Sequence, residues 1–524
     1  MKHISLLALA ITFSISGLLA QNEMDVYRFS KNDLAGTARS VSMGGAFGAL
    51  GGDVSAIVIN PAGIGVYKNS EIVTTLNFQN IGIETNLTGD KYKENKFNFN
   101  FDNLAFVSTF PLDSEEVPLL NFGFSYNRLK NFDREYRMAG KGIGDAMVDY
   151  MARRAGDRNP DMLEVNNSTM WDVWDYEDWL SALGYNAGLI NPNAGGRYDA
   201  VWPGLAVNND LLVREKGSVS TYDFNVGTTI SDIFSIGATL SVTDINYHLY
   251  SSYIEDVEAG GLIDGYELEN WMKTEGAGWQ VKAGVIFKPV NEFRIGVSYH
   301  SPTWYQMTDH FAANLGYDYK STGNKGSIES YDGREDAVLD YQMRTPDKWT
   351  FSLAGVIGNK AIISADYELT NYGSMKLFNR DGDALDEGLG NPNDFIKEDF
   401  KTSSAVRLGL EYRFTNQFSG RVGYSWVQSP INVTVKDNQG PSALGTGDLI
   451  EVTTDKHATT HYVLDGDTHY ITYGLGYRFS RNFYTDVAFV MKNQKDDLYS
   501  HAGAEKSSFK TNSFQGLLTL GYRF

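Results

Sequence analysis

The sequence predicts an all-β fold, a transmembrane antiparallel β-barrel of about 14 strands with an N-terminal hatch (plug) in the lumen. Three observations predict it. Segments that alternate apolar and polar residues recur from residue 70 to the final Phe524. Their connections alternate between tight turns and long polar stretches. Past residue 20, no run approaches the roughly 18 apolar residues of a membrane-spanning helix.

Residues 1–20 have the pattern of a secretory signal peptide. Lys2 and His3 form a basic start, Ile4 to Leu18 an apolar core, and Leu18-Leu19-Ala20 a small-residue cleavage site. Residues 21–69 differ from everything after them. The run from Met43 to Gly63 is small, apolar and dense in glycine, which lets a backbone pack closely in a crowded space. Asn60-Pro61 is a turn signal, with the asparagine pushed to extended backbone by the proline. This segment is expected to fill a lumen as a hatch. A phosphate loop is a poor alternative, because no Lys-Ser/Thr follows the glycines.

The barrel is expected over residues 70–524. Strands are predicted near 70–83, 94–110, 118–133, 217–231, 234–254, 274–288, 292–312, 339–357, 360–378, 401–414, 418–430, 467–479, 482–495 and 511–524. The last shows the pattern most clearly: Phe514, Leu518, Leu520, Tyr522 and Phe524 share one face, and Gln515, Thr519 and Arg523 the other. Alternation cannot say which face is inside. The spacing of the connections argues for lipid outside, because most strands exceed the ~10 residues needed to cross a bilayer. Short turns fall at 231–233, 289–291, 358–360, 415–417 and 480–482, and long segments between them. The longest, 134–216, carries helix-like patches at Ala146–Ala155 and Trp171–Leu189, whose tryptophans suit a lid over the barrel mouth or a small core within the loop.

Composition excludes several functions. The chain has 31 Tyr, 29 Phe, 9 Trp and 53 Gly, no Cys, and a net charge of −20. Without cysteine there are no disulfides, thiolate metal sites or lipid-anchored N-terminus. The acidic balance argues against a nucleic-acid partner. There is no GxSxG, no HExxH and no compact Ser/His/Asp group, so no catalytic residue, metal site or cofactor is assigned and the chain is not read as an enzyme. His457 and His461 sit in a Thr/Asp-rich loop, and His300 and His310 are read as a strand end and the loop after it. Neither pair makes a haem or metal site. The acidic stretch 380–387 lacks calcium-loop spacing.

The glycine-rich run ending in Asn60-Pro61-Ala62 resembles the N-terminal hatch of the FadL/TodX family of outer-membrane transporters. Gly278–Pro302 (GWQVKAGVIFKPVNEFRIGVSYHSP), Ile363–Thr370 (ISADYELT) and Arg421–Pro430 (RVGYSWVQSP) are similar to the same family. Gly521-Tyr522-Arg523-Phe524 resembles the C-terminal signal read by the barrel-assembly machinery. The resemblance implies an outer-membrane, multi-pass barrel in contact with outer-membrane lipid. It implies passive transport of long-chain fatty acids or other small hydrophobic compounds, with Gly44, Gly45, Asn60, Pro61 and Ala62 as hatch or gating residues. A fatty-acid carboxylate needs a cation, for which Arg294, Arg407 and Arg421 are candidates. The opposing reading pairs such arginines with Glu411, Asp366 and Glu368 to anchor the plug. The family also contains a barrel that serves as a secretion-machinery partner, so a non-transporting envelope role is the alternative.

Overall fold

The computed structural model describes residues 23–165, 172–257, 263–319, 324–330, 337–358, 360–386, 391–432 and 458–524. The signal segment 1–20, Trp171 and His457 lie outside them. Fourteen antiparallel strands close on themselves. They are β1 (Glu71–Leu87), β2 (Asp90–Pro111), β3 (Leu119–Asn131, resumed at Arg134–Ile143), β4 (Val207–Ile230), β5 (Phe234–Asp256), β6 (Ile263–Val290) and β7 (Phe293–His300, resumed at Trp304–Tyr319). Then follow β8 (Ala337–Arg344, resumed at Lys348–Ile357), β9 (Ala361–Asn371), β10 (Thr402–Arg413), β11 (Phe418–Val427), β12 (Thr468–Arg478), β13 (Phe483–Tyr499) and β14 (Ser507–Arg523). The seam pairs β14 with β1, from Glu71↔Arg523 to Asn86↔Ser508. Closure pairs every strand with two neighbours over most of its length, as backbone in a bilayer requires.

Burial settles which face is inside. On β14, Phe514 is 44% and Tyr522 47% exposed, whereas Gln515 is 6% and Thr519 1% exposed. The polar face is therefore the lumen and the apolar face meets lipid. Each predicted strand has its counterpart, but several extend further outward. Residues 134–143 and 207–216, expected in a loop, are strand, as are 263–273, and β1 meets β2 through a two-residue turn at Thr88-Gly89. Above the bilayer the outward face needs no apolar residues, so the alternation that marks a strand fades there. His310 is likewise not in a loop: it lies with His300 on β7.

Two irregularities shape the wall. The β2–β3 ladder ends at Asn103↔Asn127, although β2 continues outward to Asp90. Past that point β3 turns into the lumen, and Phe132 packs 4.8 Å from Tyr247 and 6.0 Å from Phe29. The other lies across the barrel. The register of His300↔Lys348 and Trp304↔Arg344 sets Pro302 opposite Pro346. Neither proline can donate, so the ladder stops. Thr345 N to Thr303 O (3.1 Å) and Thr303 N to Thr345 Oγ1 (2.8 Å) close the break.

The lumen holds α1 (Glu23–Ser30), α2 (Ala38–Ser42), α3 (Ala56–Ile59) and a 3-10 turn at Pro61–Val66. Over the mouth sit α4 (Met147–Ala155), α5 (Pro160–Leu163), α6 (Val173–Tyr176) and α7 (Trp179–Asn186). Trp179, Leu180 and Met147 form one continuous apolar cluster with Leu87, Leu268 and Leu315 of the wall and Tyr27 and Phe29 of α1. The long loop is thus a cap packed onto the barrel's outer half.

Candidate functional site: the hatch and its flanking cavities

The hatch lies directly on wall glycines. A Cβ at Gly423 would come 2.2 Å from Gly44 N, at Gly296 2.4 Å from Gly48 O, at Gly237 2.3 Å from Pro61 O, and at Gly474 2.6 Å from Ser42 Cβ. These glycines occupy lumen-facing positions on successive regions of the wall, where backbone must meet backbone. Gly44 and Gly45 have φ of +67° and +75°, so each combines a left-handed turn with close contact. Asn60 is extended (φ −145°, ψ 104°), and its Oδ1 accepts from Ala62 N at 3.2 Å, opening the 3-10 turn. Its Nδ2 donates to Gly48 O at 2.6 Å. Gly284 faces that amide: a Cβ there would sit 1.9 Å from Asn60 Oδ1.

Wall side chains hold the hatch backbone from several directions. Asp366 accepts from Phe47 N and Gly48 N, both at 3.0 Å. Asn121 Nδ2 donates to Ile64 O at 2.9 Å, Ser298 Oγ to Ile59 O at 2.9 Å, and Thr472 Oγ1 to Ser42 O at 3.0 Å. The three arginines named as carboxylate candidates all have partners here. Arg294 Nη1 donates to Leu50 O at 2.5 Å. Arg421 meets Glu411 at 2.7 Å and Asp486 at 2.5 Å, and Arg39 of the hatch joins the same Glu411 at 3.0 Å. Arg407 meets Glu368 at 3.0 Å. Of the three, only Arg407 borders a described cavity.

Two cavities of about 140 Å³ each flank α1. One lies between α1 and strands β1, β3, β13 and β14. The other lies between α1 and the wall from β4 to β12, beside the proline break, with Thr303, Pro346 and Arg407 on its lining. The first carries five cations, Arg28, Lys31, Lys130, Arg134 and Lys492, against the carboxylates Asp33, Glu215, Asp465 and Asp496. Lys31 meets Asp465 at 2.5 Å, Lys492 meets Asp33 at 2.8 Å, Arg28 meets Asp25 at 2.8 Å, and Arg134 pairs with Glu215. Burial alone would raise the Asp465 carboxyl, but the Lys31 ammonium outweighs it and holds the group well below the usual range. Lys130 is the exception. Its Nζ donates to the carbonyl of Arg28 at 2.5 Å, and it has no ion-pair partner among the described residues. Gln79, Asn131 and Phe132 complete this cavity on the side where β3 leaves β2, so it stands directly behind the wall irregularity.

Sequence reasoning missed Lys130, Lys31 and Arg28. Lys130 sits at the last turn of a predicted strand, before a segment read as loop. Lys31 and Arg28 belong to the part of the hatch that lacks glycines. The available signal was the pair Arg28 and Lys31 just ahead of the glycine-rich run.

Residues 197–442 match the family described as outer membrane protein transport protein (OMPP1/FadL/TodX). A 47 kDa outer membrane protein of Pasteurella multocida (strain Pm70) is 22% identical over 267 residues, 51% of this chain, and the match spans about half (54%) of that relative's length. Among solved structures, a Pseudomonas aeruginosa FadL homologue matches with TM-score 0.52 at 14% identity, covering 94% of this chain and 99% of that one. The P. putida toluene transporter TodX matches with TM-score 0.51 at 13% identity over the same shares. By that match over residues 197–442 and by its plugged, 14-stranded barrel, this chain is an outer-membrane β-barrel similar to the FadL/TodX proteins.

Proposed function

We propose that the protein passes small hydrophobic compounds bearing an acidic head, long-chain fatty acids foremost, across the outer membrane by passive diffusion. The observation that carries this reading is the cation-bearing cavity beside α1, with Lys130, which has no ion-pair partner among the described residues, behind the place where β3 leaves β2. A neutral hydrocarbon gains nothing from such a cation, whereas a carboxylate gains a charge-assisted hydrogen bond in a partly dry lumen. The name of TodX, a toluene transporter, supports hydrophobic cargo in general; the charge of this cavity favours an amphiphile.

The moving element in this reading is α1 rather than the whole hatch. The segment from Ala38 to Val66 is bound to the wall by backbone contacts on glycine and by many hydrogen bonds. Tyr27 of α1 and Lys31 just after it both reach Asp465, at 2.9 and 2.5 Å. Its displacement would join the two cavities and open the first toward the β2–β3 irregularity. Binding of a fluorescent fatty-acid analogue to the purified protein tests this. Saturable binding weakened about tenfold by Lys130→Gln is expected, for the loss of one charge-assisted contact. Binding that ignores the substitution, or none at all, would remove the reading.

A further inference from the structure

A second feature concerns the outside of the barrel, and it is independent of the cargo. At the seam, the registers of four strands align one outward row: Lys495 on β13, Lys510 on β14, Glu84 on β1 and Lys93 on β2. All three lysines are exposed. None has an ion-pair partner among the described residues, even though Glu84 stands between two of them. Lys91 lies one outward position beyond Lys93 and is also exposed. The patch therefore carries four lysines against Glu84 and Asp497, and Asp497 is already met by Lys506 at 3.7 Å, in a chain whose net charge is −20.

The height of the row gives it meaning. One outward step below it, about 7 Å along the strand, lies the row of Asn493, Asn512, Gly82 and Asn95. On neighbouring strands that level continues into His469 and Trp426. One step lower, Met491, Phe514 and Phe97 face outward at 47%, 44% and 67% exposure. Acyl-facing phenylalanines thus end one step beneath an amide row, and lysines begin one step above it. Phosphate groups of an outer leaflet lie at this level.

Lys495 and Lys510 are directly opposite each other, and like charges in that position destabilise a sheet unless something anionic lies over them. A second basic row, Lys216, His248, Lys273 and His310, crosses β4 to β7, and one of its two lysines already has a counter-charge. Lys273 pairs with Glu275 at 2.7 Å, and Arg214 beside it with Glu135 at 3.2 Å. In the seam row none of the three lysines has an ion-pair partner among the described residues.

We propose that the face formed by β13, β14, β1 and β2 binds a phosphorylated glycolipid of the outer leaflet. Its phosphate lies on Lys93, Lys495 and Lys510, and its acyl chains lie on Met491, Phe514 and Phe97. The ligand holds the seam strands together next to the point where β3 leaves β2. The test is native mass spectrometry of the full mature protein in mild detergent, titrated with bisphosphorylated lipid A, with its dephosphorylated form, and with inorganic phosphate alone. The bisphosphorylated lipid is expected to bind, and the triple variant Lys93→Gln/Lys495→Gln/Lys510→Gln to lose at least about tenfold in affinity. The control pair Lys216→Gln/Lys273→Gln is expected to stay within about twofold. Heat-modifiable gel migration verifies that each barrel is folded, and the single variant Lys510→Gln serves if the triple one is not. Equal binding by the lysine variants or by the dephosphorylated lipid would overturn the proposal. So would inorganic phosphate that saturates the site and displaces the lipid, since the site would then be one for a free anion.

Discussion

Replacing Asp465 by Asn should loosen α1 without disturbing the rest of the hatch. Asp465 accepts from Lys31 Nζ at 2.5 Å and from Tyr27 Oη at 2.9 Å, and the Lys31 and Asp465 side chains keep 17% and 18% exposure. Asn preserves the shape and one acceptor but removes the charge. Breaking a fully buried pair costs about 3–5 kcal/mol; the residual exposure here reduces that to about 2 kcal/mol, discounted for solvent screening. At 1.4 kcal/mol per decade, local opening of α1 becomes roughly 30-fold more frequent. The chain has no native cysteine, so a single Val26→Cys reports opening cleanly. Val26 is 1% exposed in the closed state. Its modification by a small maleimide should accelerate about 30-fold in the Asp465→Asn background, while Ser40→Cys, buried in α2, should not change. An unchanged Val26→Cys rate would refute the assignment of α1 as the mobile element. Equal acceleration at both positions would show that the plug loosens as one body.

Three other outcomes follow from the same geometry. Gly284→Ala places a methyl 1.9 Å from Asn60 Oδ1 and should destabilise the hatch seat by about 1–3 kcal/mol; Asn60→Ala in the same chain should recover much of that loss in a thermal-unfolding double-mutant cycle, and additive effects would contradict the contact. Deleting residues 21–60 should create a conducting pore in planar bilayers, whereas unchanged conductance would mean that this segment does not occlude the lumen. The cap should loosen in acid through His501, which is 0% exposed, stacks 5.4 Å from Tyr150, and is held by burial, then by Arg153, at a pKa of about 3 against an ordinary 6.5. The unfolded cap gains a proton below pH 6.5 that the folded cap refuses, so stability is full above that value and falls by about 1.4 kcal/mol per pH unit below it. Limited proteolysis of the cap should accelerate accordingly at pH 5, and His501→Phe should abolish the dependence.

Much of the barrel was legible because its physical cause is local. Lipid contact forces alternation, so Val406, Leu408 and Leu410 against Arg407, Gly409 and Glu411 mark β10 without any knowledge of its neighbours. Strand ends beyond the bilayer lose that constraint, which is why 134–143 and 207–216 read as loop. The hatch was legible from its glycines, but its seat was not. Gly237, Gly296, Gly423 and Gly474 look like unremarkable small residues on a polar face until the plug is placed against them. The inward turn of β3 depends on where Phe132 finds Phe29 and Tyr247, partners about 100 residues away along the chain, and no local pattern announces it. For the same reason the arginines chosen by alternation proved to have partners, while Lys130, near the end of a strand, has no ion-pair partner among the described residues.

The central claim is that the lumen holds an acidic amphiphile beside α1. Mass spectrometry of small molecules retained by the protein, purified in mild detergent with and without Lys130→Gln, tests it most directly. A fatty acid or related acidic amphiphile should be enriched over a detergent-only control and depleted about tenfold in the variant. An empty barrel that instead co-purifies with stoichiometric envelope proteins would contradict it and favour the secretion-partner role.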